Sequence, residues 1–194
     1  IDLSAWQASV ALAGPLETPT LHATVRSPAT ARHPAQSLDV QAALRPFADW
    51  PLADLQASTQ ALDLSAFSAS APITSLTGRA TVRTEAIDRP AEAQIELRND
   101  VAGHWNEGRL PLRSLHAELI GRPDDRSTFE LKRFTAELGT LEQSAGSLEG
   151  QGQWSAVRST LNARLSSSQV VKHCHLRFRR FESTVCSMGL TTLG

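Results

Sequence analysis

Four side chains near the C-terminus, His173, Cys174, His175 and Cys186, are of the types that hold zinc, which takes thiolate and imidazole ligands in a tetrahedron. Their spacing matches no finger pattern, and three consecutive ligands on a strand would send both histidines to one side and the cysteine to the other. No metal site is expected there. A Cys174–Cys186 disulfide is permitted in an oxidising compartment, but two cysteines do not define the compartment. The adjacent carboxylates Asp124 and Asp125 are the right types for acid and base roles, yet they fall in the turn sequence Gly121-Arg122-Pro123-Asp124-Asp125 with no cleft to set them apart. They read as solvated turn residues. His104-Trp105 reads as a loop anchor on a sheet, and Trp6, Trp50 and Trp154 as packing residues or strand-end plugs. The signatures GxGxxG after a strand, GxxxxGK[ST], HExxH and GxSxG are all missing. The residues point to a chain that is not an enzyme and needs no cofactor.

The elements that would carry these residues are strands. Leu76-Thr77-Gly78-Arg79-Ala80-Thr81-Val82-Arg83-Thr84-Glu85 alternates apolar or small residues with polar ones, and Ala93, Ile95 and Leu97 alternate with Glu92, Gln94, Glu96 and Arg98. A period of two marks a strand with one apolar and one wet face, whereas a helix needs three- and four-residue spacing. The same reading covers Trp6 to Leu12, Leu21 to Ser27, Leu38 to Leu44, Leu55 to Thr59, Gly108 to Ile120, Ser127 to Leu138, Leu148 to Trp154 and Leu161 to Leu165. A short helical turn is expected at Trp50-Pro51-Leu52-Ala53-Asp54-Leu55.

Two segments change phase. Leu110 and Leu112 are even but Leu115, Ala117 and Leu119 odd; Phe129 and Leu131 are odd but Phe134, Ala136 and Leu138 even. A one-residue shift turns every later side chain to the other face unless a bulge absorbs it, so bulges are expected near Ser114 and Arg133. Pro111, which cannot donate to a ladder, belongs at a strand start, an edge or an irregularity. Turn sequences at Gly14-Pro15, Ser27-Pro28, Arg45-Pro46, Asp88-Arg89-Pro90, Asn99-Asp100 and Gly121 to Asp125 suit antiparallel hairpins.

With 20 acidic and 19 basic residues the chain has no positive field to gather phosphates, which argues against nucleic acid as a partner. Composition divides it into a body, residues 1–166, holding all 27 alanines and a net charge of 15 − 19 = −4, and a divergent, alanine-free tail, residues 167–194, which reads as an artefactual or disordered end. Ile1-Asp2-Leu3-Ser4 carries neither an initiator Met nor a signal segment, and no apolar run approaches the roughly 18 residues of a membrane span, so the chain reads as a fragment. Aromatic residues make up 5% and Tyr is absent, a supply too thin for a filled core.

Several phrases in the body resemble a known family. Leu62-Asp63-Leu64-Ser65-Ala66-Phe67, Ala71-Pro72, Leu76-Thr77-Gly78-Arg79, Ile95-Glu96-Leu97-Arg98-Asn99, Glu107-Gly108-Arg109-Leu110-Pro111-Leu112-Arg113-Ser114-Leu115 and Gly146-Ser147-Leu148-Glu149-Gly150-Gln151-Gly152-Gln153-Trp154 are similar, in that order, to the TamB family of translocation and assembly proteins, relatives of the AsmA-like proteins. The resemblance implies an all-β fold, an elongated antiparallel sheet curved into a U, the β-taco, with an apolar concave face. It also implies a periplasmic section of a protein anchored in the inner membrane of a Gram-negative bacterium. Such bridges are implicated in phospholipid transport to the outer membrane and in protein assembly there.

The partners implied are phospholipid acyl chains and, through regions absent from this sequence, an outer-membrane assembly protein of the Omp85 type. On that reading the groove is lined by Leu76, Ala80, Val82, Ala93, Ile95, Leu97, Leu110, Leu112, Leu115, Leu119, Phe129, Leu131, Phe134 and Leu138. Small residues such as Gly78, Gly150 and Gly152 would leave room for the guest. Two other readings compete. One is a purely structural β-solenoid, a passenger or stalk with a closed core; the other is a β-solenoid enzyme acting on polysaccharide, which would need a ladder of carboxylates that the sequence lacks.

Overall fold

A computed structural model describes residues 6–29, 34–68, 70–155, 158–166, 171–179 and 182–191, with backbone and register alone at 125–127, at 158–161, 163 and 165, and in the last two segments. The described residues form one antiparallel meander. In chain order the strands are β1 (Gln7–Ala13), β2 (Thr20–Ser27), β3 (Gln36–Leu44), β4 (Leu52–Leu62), β5 (Leu76–Thr84), β6 (Ala91–Asn99), β7 (Leu112–Arg122), β8 (Asp125–Gly139), β9 (Ser144–Trp154), β10 (Arg158–Ser166), β11 (Val171–Arg179) and β12 (Glu182–Thr191). Each pairs with its neighbours in sequence, and the spatial order is the chain order from β1 to β12. The two outer strands do not pair with each other, so the sheet is open.

Each of the ten segments read as strands from their alternation overlaps one of β1 to β10, but the segment expected from Gly108 becomes strand only at Leu112, because Gly108 closes the Trp105–Glu107 turn and Pro111 cannot donate to the ladder; β11 and β12 extend the meander into the tail. The helical turn expected at Trp50 to Leu55 is not formed. Leu52 already opens β4, because Arg45 N–H donates to the Pro51 carbonyl (2.7 Å) and closes a tight strand-to-strand connection. The helical character among the described residues is instead two single 3₁₀ turns, Leu64–Ala66 and Trp105–Glu107.

Bulges keep the apolar residues in phase. Leu112 faces Leu138 while Ser114 faces Glu137, which leaves Arg113 extra, and Pro111 immediately precedes the strand. Leu119 faces Leu131 while Glu118 faces Arg133, which leaves Lys132 extra; across β9, Leu131 and Phe134 face Gly152 and Gly150. Both irregularities fall where the phase changes require them. A third, between Thr59 and Leu62 of β4, is marked by Ala61 at φ 52°, the one non-glycine residue with positive φ among those described.

The connections alternate between two rims. One rim carries residues 28–29, 34–35, 63–68, 70–75, 100–111 and 140–143, and the other 14–19, 45–51, 85–90 and 123–124. On the second rim Arg45 reaches past β4 to donate to the carbonyls of Glu85 (2.7 Å) and Thr84 (2.9 Å), tying alternate turns together.

Candidate functional site

Residues paired across an antiparallel ladder share a face, so the register sorts the side chains. One row runs Val10, Ala23, Val40, Ala57, Ala80, Ile95, Ala117, Phe134, Gly150, Ala163, Cys174, Met188. A second runs Leu12, Leu21, Ala42, Leu55, Val82, Ala93, Leu119, Leu131, Gly152, Leu161, Leu176, Cys186. A third contains Ala8, Val25, Leu38, Thr59, Gly78, Leu97, Leu115, Ala136, Leu148 and Leu165 and meets its first charge at Lys172. Apolar residue types therefore occupy one face of the sheet strand after strand.

No second layer covers this face within the described residues. The buried apolar residues among them are Ala42, Leu76, Ala102, Ala117 and Ala136, of which Ala42, Ala117 and Ala136 are small side chains set between larger neighbours in their rows and Ala102 lies in the connection after β6. Val82, Ile95, Leu97, Leu115, Leu119, Leu131 and Phe134 are half-buried, and Phe129 and Trp154 stack at 6.0 Å while remaining exposed. Half-burial of this kind is what lateral contact within a single sheet produces, since the free side of each residue still meets solvent.

Thirteen of the fourteen expected lining residues fall on this face: Leu76, Ala80, Val82, Ala93, Ile95, Leu97, Leu112, Leu115, Leu119, Phe129, Leu131, Phe134 and Leu138. Leu110 lies outside the strands, its carbonyl accepting from the Gly103 N–H (3.3 Å) and from Asn99 Nδ2 (3.3 Å). Gly78 has a cause other than room for a guest. A Cβ there would press on the Glu96 carbonyl and lie 2.9 Å from Leu97 Cα, so the β6 backbone excludes any side chain.

The opposite face is polar and mixed in sign. Arg79 donates through Nε to Glu96 Oε2 at 2.9 Å, Arg83 lies 3.5 Å from Asp54, Arg26 lies 3.5 Å from Asp39, and Ser9 and Thr24 share a hydroxyl bond of 2.7 Å. His116 Nε2 lies 3.0 Å from Glu118 Oε1, and this bond, helped by the nearby charges of His116, Arg133 and Lys132, holds the Glu118 carboxyl below the ordinary carboxylate range. A depression of about 570 Å³ beside Arg79, Glu96, Arg98 and His116 is lined by both signs and selects no ionic ligand. Exposed pairs such as these are screened by solvent and contribute little stability.

The first rim folds over the end of the apolar face, held down by polar residues to which the sequence reading gave no such role, Asn99 having been expected only as a turn residue. Asp63 Oδ1 accepts from the N–H groups of Ser65 (3.0 Å) and Thr74 (3.1 Å), while the Asp63 N–H donates to Gln36 Oε1 (2.8 Å). Asn99 Oδ1 accepts from Ser75 N–H (3.0 Å) and Val101 N–H (3.3 Å), and Ile73 N–H donates to the Gly108 carbonyl (2.7 Å). Asp63, Gln36, Thr74, Ser75 and Asn99 are all buried. Phe67, just after the first 3₁₀ turn, meets Trp6 at 5.1 Å, so the connection after β4 reaches the start of β1.

His104 and Trp105 do not anchor their loop. Trp105 is 64% exposed, and Ala102 beside it is the buried residue. Asp124 sits in the β7–β8 turn, its two oxygens taking bonds from Arg122 at 3.0 and 2.6 Å, as solvated turn residues do. The register sets Cys174 opposite Met188 and Cys186 opposite Leu176, so the two cysteines are not direct cross-strand partners. The side chains of the His173-Cys174-His175 triplet lie outside the described residues, and no group of three metal-ligating side chains occurs among those described. No helix among the described residues is long and apolar enough to cross a membrane. No family model, curated protein or solved structure matches the chain.

Proposed function

We propose that this chain is a section of a TamB-like bridge across the periplasm, with its sheet bent so that the apolar face is concave and holds phospholipid acyl chains on their way to the outer membrane. The observation that carries the proposal is the uncovered apolar face, kept in phase through every bulge of an open meander. A chain that selects for register so consistently gains from an apolar occupant. Each CH₂ fully removed from water contributes roughly 0.8 kcal/mol, and a face that covers one side of an acyl chain captures part of that at every step. Many similar weak sites suit passage along the sheet better than one tight pocket. No catalytic step is part of this reading, and contact with an Omp85-type assembly protein would be made by regions outside this sequence.

The architecture bears on the competing stalk reading. A closed solenoid core needs a second wall, whereas the described strands form one open sheet.

Brominated fatty acids quench tryptophan only at contact. In variants retaining a single tryptophan, Trp154 on the apolar face is expected to be quenched and the exposed Trp105 on the rim to stay bright. Equal quenching at both, or none at Trp154, contradicts the proposal.

A further inference from the structure

The two ends of the apolar face are finished differently. At the first rim the connections after β4 and β6 are thirteen and twelve residues long, against seven or fewer for each described connection of the second rim. The long pair interlock with each other and with the next: Ile73 N–H donates to the Gly108 carbonyl (2.7 Å), Asp100 N–H to the Ser75 carbonyl (3.0 Å) and Leu141 N–H to the Ala102 carbonyl (3.3 Å). At this end the last positions of the face are sealed, with Ser27, Gln36, Leu76 and Asn99 exposed by 8% or less. At the second rim the cross-strand partners Phe129 and Trp154 lie open, 40% and 49% exposed. Thr84 is the buried exception there, its carbonyl bonded by the Arg45 guanidinium.

Charge follows the same division. The connection after β4 carries one charged residue, Asp63, and it is buried, while Phe67 and Ile73 are exposed on it. The second rim exposes Glu17, Asp49, Glu85, Asp88 and Arg89. Length fits as well. A nine-residue strand such as β5 spans about 30 Å at roughly 3.3 Å per residue. The hydrocarbon core of a bilayer, two opposed acyl chains deep, is also about 30 Å, so one chain needs about 15 Å. An acyl chain laid along the strands therefore fits between the rims with room to spare, and the second rim is the one that offers its polar end an open, charged margin.

We infer that a phospholipid on this face lies along the strands, its acyl chains toward the roofed first rim and its headgroup at the second rim, so that it enters, leaves and passes from strand to strand on that side. The inference rests on the acyl-chain reading proposed above and adds a polarity to it.

Photolysis of the full chain with three phosphatidylcholine probes, read by mass spectrometry of the labelled peptides, tests the reading and the polarity separately. A diazirine at mid-chain should label Val82, Ile95 and their apolar neighbours. A diazirine on the terminal carbon should label the first-rim end of the face, at Leu76, Leu112 and Leu138. An aryl azide on the headgroup should label the connections after β3 and β5 several-fold more than those after β4 and β6, with the same azide lacking acyl chains correcting for the intrinsic reactivity of each rim. Headgroup adducts that favour the first rim, or fall equally on both, while mid-chain adducts stay on the apolar face would overturn the polarity and leave the acyl-chain reading standing. Mid-chain adducts at Arg83 and Glu96, or none anywhere on the sheet, would overturn both.

Discussion

Truncating Asn99 should loosen the rim that folds over the apolar face, and the cost follows from its partners. Asn99 is 2% exposed and ends β6 on the apolar side, where it takes the N–H groups of Ser75 and Val101 and donates to the Leu110 carbonyl. Asn99→Ala strands those groups unequally. Ser75 N–H is buried and loses its side-chain acceptor; Val101 N–H is only part-buried; the Leu110 carbonyl keeps the Gly103 N–H. A buried donor left unsatisfied costs about 1–3 kcal/mol, so with the lesser terms added the expected loss is about 2–3 kcal/mol. With a urea m-value of about 1–3 kcal/mol/M, the unfolding midpoint followed by circular dichroism should fall by roughly 0.7–3 M. Amide exchange at Ser75 and Val101 should accelerate together. Glu92→Ala, at an exposed position on the other face of the same strand, is the control and should change stability by less than about 0.5 kcal/mol. An Asn99→Ala protein as stable as the Glu92→Ala protein would refute the assignment of this side chain as the clasp of the rim.

Two further outcomes follow from the bulge and from the polar face. Deleting Lys132 removes the extra residue of the β8 bulge and should leave Leu131 and Phe134 on their present face, with stability within about 1 kcal/mol of the natural chain. Deleting Thr135 instead forces Phe134 and everything before it, or everything after it, to the wrong face and should abolish cooperative unfolding; equal effects of the two deletions would contradict the register. By carboxyl NMR, Glu118 should titrate below an ordinary glutamate and return to the ordinary range in His116→Ala. Because its folded value is lowered, its contribution to stability is present above the unfolded value and is lost as pH falls through the folded one. An unchanged titration in the variant would remove His116 as the cause.

The strands were legible because their signal is local: a period of two over seven or more residues defines both an element and its apolar face. The bulges at Arg113 and Lys132 were legible for the same reason, as phase changes in a pattern already established. Ala61 was not, since Thr59 on the apolar row hides the break before Leu62. The helical turn expected at Trp50 failed because a connection closed by Arg45 and Pro51 overrode local preference. The clasp residues were invisible for a different reason. Gln36, Asp63 and Asn99 are polar residues at strand ends, where sequence alone suggests solvent, and their burial depends on connections between non-adjacent segments of the chain. A polar residue in the apolar phase of a strand, as Asn99 is after Ala93, Ile95 and Leu97, is the one local sign of such a role. The alternation put thirteen of the fourteen named apolar residues on one face of the sheet, and Leu110 escaped because it follows a loop rather than a ladder.

The central claim is that the two faces differ in what they hold. A photocrosslinking residue placed at Val82 or Ile95, and separately at Arg83 or Glu96, measures this in the cell envelope. Lipid adducts concentrated at Val82 and Ile95 are the expected result; equal adducts at the two pairs, or a preference for Arg83 and Glu96, would contradict it.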